Sequence, residues 1–342
     1  MKRETSRPPR MADVARLAGV SVITVSRVIN DYPHVTPAVR QRVREAIAQL
    51  RYRPNTMARA LVTNRSMHLG VITYALSVTS PSLALFGVSE EARAFGYSTN
   101  LVTLDDVSAS SLQTALQHLA DDAVDGAVLL APMVDAPRAL QATQAPMPVV
   151  SFEQGTTGSR DAVTLDEEFA AQLTTRHLLE LGHHTVHFIR GPDGWMATEA
   201  RETGWRRELA LAGRRPPAPA PCADWGVASG YQAARSLLER GGVSAILVSN
   251  DAMCLGVYTA LHEAGLTVPG DVSVVGFDDV PEAAYYQPPL TTVRLDFAAA
   301  GQAALRRLLG LLGVDAAGSV EAPTPTLVVR SSTAPPHRPS AQ

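Results

Sequence analysis

The sequence predicts a small all-α head followed by an α/β body of two doubly wound, parallel-sheet halves. Three observations predict this. Residues 1–65 carry thirteen Lys/Arg against four Asp/Glu, whereas the rest of the chain carries seventeen against twenty-nine. Within that basic segment, helix-start and helix-stop residues recur at short intervals. From His68 onward, short apolar runs alternate with amphipathic stretches, and the series runs twice, before and after about residue 165. A basic head on an acidic body predicts a polyanionic partner for the head.

Bulk composition narrows the class. At 342 residues the chain is long enough for two or three domains with a sizeable core. A hydrophobic content of 46% with only 5% aromatics fits an aliphatic, soluble α/β protein. No apolar run approaches the roughly 18–20 residues of a membrane span, so no membrane partner is expected. The basic start, MKRETSRPPR, is not followed by an apolar signal region. Cys222 and Cys254 form no close pair, which argues against a disulfide framework or a zinc site and for the reducing cytoplasm.

In the head, residues 1–10 are polar, hold two prolines and read as a disordered arm. Asp13–Ala18 reads as a short helix ended by Gly19. Ser21 is an N-cap for a second helix, with Val20 and Val25 spaced as its hydrophobic staple. Thr36-Pro37 opens a third helix, with Thr36 as cap and an apolar stripe of Val39, Val43, Ile47 and Leu50. Pro54-Asn55 stops the chain and caps a fourth short helix, Thr56 to about Val62. Two short helices joined by a Gly-containing turn and backed by a third form a helix-turn-helix bundle.

On a helical wheel, Val25, Val28 and Ile29 share one side of the second helix and face the bundle core. Ile23 and Arg27 fall on the opposite side, with Val22 and Ser26 at the margin. An apolar side chain turned to solvent beside an arginine fits a major-groove surface: arginine suits guanine O6/N7, and aliphatic groups suit thymine methyls. Val22, Ile23 and Arg27 are therefore the expected base readers. Ser21, Thr24, Ser26, Asn30 and Thr36 are the expected phosphate contacts.

In the body, candidate strands are Leu69–Thr73, Ser98–Thr103, Gly126–Leu130, Val149–Phe152, Thr185–Ile189, Ala245–Ser249 and Val272–Gly276, with helices such as Ala170–Leu181 and Tyr231–Arg240 between them. Ligands in such folds sit outside the carboxyl ends of the strands, which here predicts a site in the cleft between two halves.

Several motifs together carry a family resemblance. Asp13-Val14-Ala15, Ala18-Gly19-Val20-Ser21, Thr24–Asn30 and Arg53-Pro54-Asn55 resemble the DNA-binding head of the LacI/GalR transcriptional regulators. Leu181-Gly182-His183, Asn250-Asp251, Gly270–Asp279, Leu290–Val293 and Leu327–Thr333 resemble that family's effector-binding core, itself similar to periplasmic sugar-binding proteins. The resemblance covers nearly the whole chain. It implies an N-terminal all-α helix-turn-helix head plus an α/β core that is periplasmic-binding-protein-like. The implied boundaries are an arm at 1–10, the DNA-binding domain at 11–54, a hinge helix and linker at 55–65, an effector-binding and dimerisation core at 66–332, and a Pro-rich loose tail at 333–342. Within the core, 66–165 with 295–323 forms one subdomain and 166–294 with 324–332 the other.

The resemblance also implies roles. Leu61 matches the hinge leucine that relatives insert into the minor groove, where unstacking bends the duplex. Arg201, Asn250 and Asp278 match effector-contact positions, and Trp225 falls near an aromatic position that stacks on ligand. Tyr74, after the first strand, and Glu153, where relatives carry Asp, complete the expected effector set. One departure is Arg10, which stands where the family begins its first helix with Thr or Ser. The implied function is a cytoplasmic homodimeric repressor of a pseudo-palindromic DNA operator, released by a small effector, a sugar. A purine or other metabolite acting as corepressor is the alternative.

Other classes fit poorly. There is no Gly-x-Ser-x-Gly elbow, no P-loop and no GxGxxG after the first strand, so no enzyme and no cofactor is expected. A transport sugar-binding protein has no use for a basic helix-turn-helix head. His183 and His187 are four apart but enter a strand, where i and i+4 are not arranged as on a helix face, and no metal is expected.

Overall fold

The computed structural model describes residues 9–29, 32–52, 65–155 and 161–337. The chain separates into two compact units, Met1–Ser66 and Met67–Gln342.

The first unit holds α1 (Met11–Ala18), α2 (Val22–Ile29) and α3 (Pro37–Leu50). Gly19 ends α1 in the left-handed region at φ 65°, a conformation that costs glycine nothing, and its N–H closes onto Arg16 O. The Ser21 hydroxyl accepts from Thr24 N–H at 3.1 Å and caps α2. Val20 and Val25 both join a core of Val14, Ala15, Val28, Val43 and Ala46. At Arg10 the missing hydroxyl is offset from the other side: its own N–H donates to Asp13 Oδ2 at 2.8 Å, half of a capping box. Thr36 differs from expectation. It holds the backbone N-cap position of α3, but its side chain makes no cap bond and is exposed. The expected hinge helix, with Leu61, lies outside the described residues.

The second unit contains two five-stranded sheets. The first has the order β2 (Ser98–Leu104), β1 (His68–Tyr74), β3 (Gly126–Leu130), β4 (Val149–Gln154), β5 (Ala162–Leu165), all parallel. The second runs β10 (Thr326–Val328), β9 (Thr291–Arg294), β8 (Ser273–Asp278), β7 (Ala245–Val248), β6 (His187–Ile189). Here β10 pairs antiparallel with β9, so this sheet is mixed and not purely parallel. The strand β5 was not expected; it is only four residues long and too short for a periodic signal.

Helices α4 (Thr79–Ala94), α5 (Ala109–Asp121), α6 (Ala136–Gln141) and α11 (Phe297–Leu311) accompany the first sheet. Helices α7 (Glu167–Glu180), α8 (Met196–Leu211), α9 (Val227–Glu239) and α10 (Asp251–Glu263) accompany the second. The chain therefore crosses between the halves after β5, after β9 and before β10. One apolar core is continuous across them: Val71, Val150 and Phe297 share a cluster with Phe188, Trp205 and Phe277. Among the described residues, no helix is long and apolar enough to cross a membrane.

The segment expected to open a loose tail is pinned. Ala334 accepts from Ser273 Oγ at 3.0 Å and lies 3.0 Å from His183 Nε2, while Ala334 N–H donates to Ser273 Oγ. His183 is buried and also meets Ser244 Oγ at 3.0 Å. Its ring fills its hydrogen-bonding capacity with protein groups, which explains the Gly182-His183 motif without a metal.

Burial pushes the His183 imidazole below the ordinary 6.5, although the Ala334 carbonyl pulls the other way. The unfolded chain then takes up a proton near 6.5 while the folded chain does not. Stability present above that pH is lost as the pH falls through it. His183→Gln is expected to shrink the drop in melting temperature between about pH 8 and about pH 5.5 relative to the parent chain. Thermal denaturation at matched ionic strength measures this; equal slopes would contradict the assignment.

Candidate functional site

On α2 the apolar pair stands out to solvent. Ile23 is 65% exposed and Val22 45%, while Val25 and Val28 are buried. Arg27 is exposed on the same helix, Thr24 and Ser26 are half-buried, and Ser21 is exposed at its start. Asn30 lies outside the described residues. The helix thus offers an arginine, two aliphatic groups and short hydroxyls from one surface and its margin.

The second site lies at the carboxyl ends of the strands. In the first sheet the strand order reverses between β1 and β3, opening a crevice at Tyr74 and Ala131–Met133. In the second it reverses at β6, because Ile189 pairs with Ala220 on one side and β7 lies on the other. A narrow pocket between the halves is lined by Val78, Ser80, Gln154, Ala197, Arg201, Trp225, Asn250 and Asp278.

Arg201 is the centre of this pocket. It projects from α8, buried, and its Nε donates to Glu167 Oε2 at 2.8 Å. Its Nη1 donates to the Ser249 carbonyl, and Nη2 lies 3.6 Å from Asp278 Oδ1. The guanidinium carbon sits 4.3 Å from the centre of the Phe277 ring. Burial alone would depress Arg201, but Glu167 and Asp278 outweigh it and keep the cation. Burial holds Asp278 well above the usual carboxylate range; Arg201 pulls it down, while Asp251 and Glu167 push it further up. Asp278 and Asp279 both adopt left-handed backbone, at φ 106° and 54°. Asp279 is fixed by Arg330 at 2.6 Å and Arg294 at 2.8 Å, which anchors this strained turn.

Asn250 serves two structural bonds: Oδ1 caps α10 through Met253 N–H at 2.7 Å, and Nδ2 donates to the Trp225 carbonyl at 3.1 Å. The Trp225 ring lies over Gly191, where an added Cβ would collide with the indole. Next to Asn250, burial pushes the Asp251 carboxyl up to about 7 against donors from Thr292 and Val280.

The structure thus brings Arg201, Trp225, Asn250 and Asp278 to one pocket. Tyr74 is not part of the lining: its ring lies 6.3 Å from that of Trp195, which in turn meets Trp225. Glu153 is displaced from the pocket: the side chain is buried and accepts from Ser151 Oγ at 2.7 Å, while Gln154, one residue on, lines the pocket. Period-two alternation at the end of β4 is the reason, since adjacent residues face opposite sides.

Sequence reading missed a polar set around the pocket. Both amide atoms of Gln154, Glu167 Oε1, the Thr198 and Ser249 hydroxyls and Trp225 Nε1 are buried with no partner among the described residues. Buried polar atoms are normally paired; here Gln154 and Trp225 line the pocket and Glu167 and Ser249 meet Arg201, so these free donors and acceptors lie in it or next to it. Gln154 and Ser249, at or just after strand ends, were open to discovery by that rule; Glu167, in the first turn of a helix, carried no such signal.

Residues 10–55 match the model of the bacterial regulatory proteins of the lacI family, and residues 175–333 match that of the periplasmic binding protein-like domain. The lactose operon repressor of Escherichia coli (strain K12) is 32% identical over 98% of this chain and 93% of its own length. The chain belongs to the LacI family of regulators. It combines a DNA-binding head with a ligand-binding core. The ribose operon repressor of Escherichia coli (strain K12) is 33% identical over 83% of this chain and 87% of its own. The crystal structure of the Lac repressor dimer bound to operator and the anti-inducer ONPF superposes with a TM-score of 0.83 at 33% identity, covering 96% of this chain and all of that one.

Arg201→Ala leaves Glu167 and Asp278 buried without their cation, and is expected to cost about 3–5 kcal/mol of stability. Adding Glu167→Gln to Arg201→Met should cost less than Arg201→Ala alone, because the orphaned charge is removed. Urea unfolding of the full chain measures both; a loss below about 1 kcal/mol for Arg201→Ala would contradict the buried network.

Proposed function

We propose that this LacI-family regulator is a cytoplasmic homodimeric repressor that binds a pseudo-palindromic operator and releases it when an uncharged sugar enters the cleft. The reading that it is not an enzyme is part of the same proposal. The observation that carries the effector assignment is the unpartnered polar set beside aromatic rings. Hydroxyl groups of a sugar both donate and accept, matching an amide, two hydroxyls, a carboxylate oxygen and an indole N–H, while the sugar's C–H face matches Trp225. The cation that lines the pocket, Arg201, is already engaged by two carboxylates, which disfavours a phosphorylated ligand. The names of the lactose and ribose operon repressors point to the same ligand class.

On the DNA side, Val22, Ile23 and Arg27 read bases, and Ser21, Thr24, Ser26, Asn30 and Thr36 position phosphates. Leu61 is assigned to the operator centre, by analogy with relatives. The dimer is supported by exposed large apolar residues on the core, among them Leu83 and Phe86 on α4, Leu101 on β2, Leu255 on α10 and Tyr285, and by the Lac repressor, which is a dimer on its operator. For an inducer to act, it must favour the DNA-free conformation over the DNA-bound one.

Duplex selection followed by salt titration tests the DNA reading; binding without salt dependence would reject it. Ile23→Gln is expected to change the preferred half-site base by about 1–3 kcal/mol of discrimination, and an equal loss on every sequence would count against base reading. A thermal-shift panel of uncharged sugars against their 6-phosphates tests the effector. An uncharged sugar at about 100 times its Kd should stabilise the chain by about 2.7 kcal/mol, and a preference for the phosphate would reject the assignment.

A further inference from the structure

Two segments from opposite halves of the core meet beside the cleft. Residues 132–134 follow β3 in the first half, and residues 194–196 lead into α8 in the second. Val134 N–H donates to Gly194 O at 2.9 Å, and Met196 N–H donates to Pro132 O at 3.1 Å, so Met133 and Trp195 form an antiparallel bridge. Trp195 is buried at this junction. Its ring lies 6.3 Å from Tyr74, at the end of β1 in the first half. On the other side it meets Trp225 edge-on at 5.4 Å. Trp225 is the ring that lines the pocket; Trp195 is not part of that lining.

These contacts are mechanically linked. The two backbone bonds and the Tyr74 contact all cross from one half to the other, whereas the Trp225 contact stays within the second. Parting the halves breaks the first three together. It also frees Trp195, whose ring packs edge-on against Trp225.

We propose that Trp195 is a positioning residue that couples closure of the cleft to the seat of Trp225. With the bridge made, Trp195 is held by the first half and keeps Trp225 over Gly191, 5.8 Å from the Arg201 guanidinium. With the bridge broken, Trp195 loses its hold on the first half and is free to turn, so the edge contact that seats Trp225 is no longer fixed. A ligand that moves either tryptophan is thereby felt at the junction of the halves. This inference rests on the reading of the cleft as the effector site.

The test uses the full chain without ligand or DNA, so its outcome does not depend on whether a sugar binds. Amide hydrogen exchange is followed at Val134 and Met196, and iodide quenching reports exposure of Trp225. In the parent chain both amides are expected to be protected. Trp195→Ala should reduce that protection at least about tenfold and increase quenching, while Trp195→Phe, which keeps a ring at the junction, should retain protection within about threefold. Tyr74→Ala, on the opposite half, should lower protection at the same two amides, and carries the test if Trp195→Ala does not fold. Unprotected amides in the parent, or protection and quenching unchanged in Trp195→Ala and Tyr74→Ala, would overturn the proposal.

Discussion

The core is organised around one buried cation. Arg201 reaches from α8 to Glu167 at the start of α7, to the Ser249 carbonyl after β7 and to Asp278 at the end of β8. Four elements of the second half therefore converge on a single guanidinium, whose planar fork of donors suits several acceptors at once. A buried pair of this kind is weak evidence for stability, since desolvation offsets most of the attraction. Its value lies in geometry. Glu167 fixes the guanidinium, the guanidinium fixes Asp278, and the strained turn at Asp278-Asp279 is held from its far side by Arg294 and Arg330. The pocket is consequently a rigid polar floor with aromatic rings at its edge.

Much of this was legible in the sequence, for identifiable reasons. The caps at Ser21 and Gly19 are local events decided by a few neighbouring residues, and they fell where the residue types put them. The wheel of α2 separated Val25 and Val28 from Ile23 because an eight-residue helix has one buried face and one exposed face. The long apolar strands were visible as runs, and both strand ends and the family motifs led to Arg201, Trp225, Asn250 and Asp278. What failed to show was set by distance along the chain. Glu167 and Arg201 are thirty-four positions apart, and nothing local to Glu167 announces its partner. Nothing in the residues around Trp195 announces its role, because the bridge to Met133 is a tertiary contact. Glu153 was misplaced by a single position, which in a strand means the opposite face. Thr36 occupies a capping position without making the cap bond, so residue type alone did not determine the interaction.

The head and the core differ in how they resist change. The head has a small core of short aliphatic side chains, with Val14, Val25 and Val43 fully buried. Its outward residues, Val22, Ile23 and Arg27, make no part of that core, so changes there cost little stability, and on the proposed reading they fall on the DNA-facing surface. In the cleft, pocket lining and architecture are partly the same atoms. Asn250 caps a helix and holds the Trp225 loop, and Arg201 ties four elements together.

That overlap bears on how such a regulator can acquire a new signal. On the proposed reading, substituting Arg201 or Asn250 changes the ligand surface and the scaffold in one step. Gln154, Thr198 and Ser249 have side-chain polar atoms with no partner among the described residues. None of these side chains takes part in the Arg201 ion pairs, so exchanging one for a group of similar size leaves those pairs in place. On the proposed reading of the cleft, those positions are the ones to randomise when redirecting the protein to a chosen small molecule.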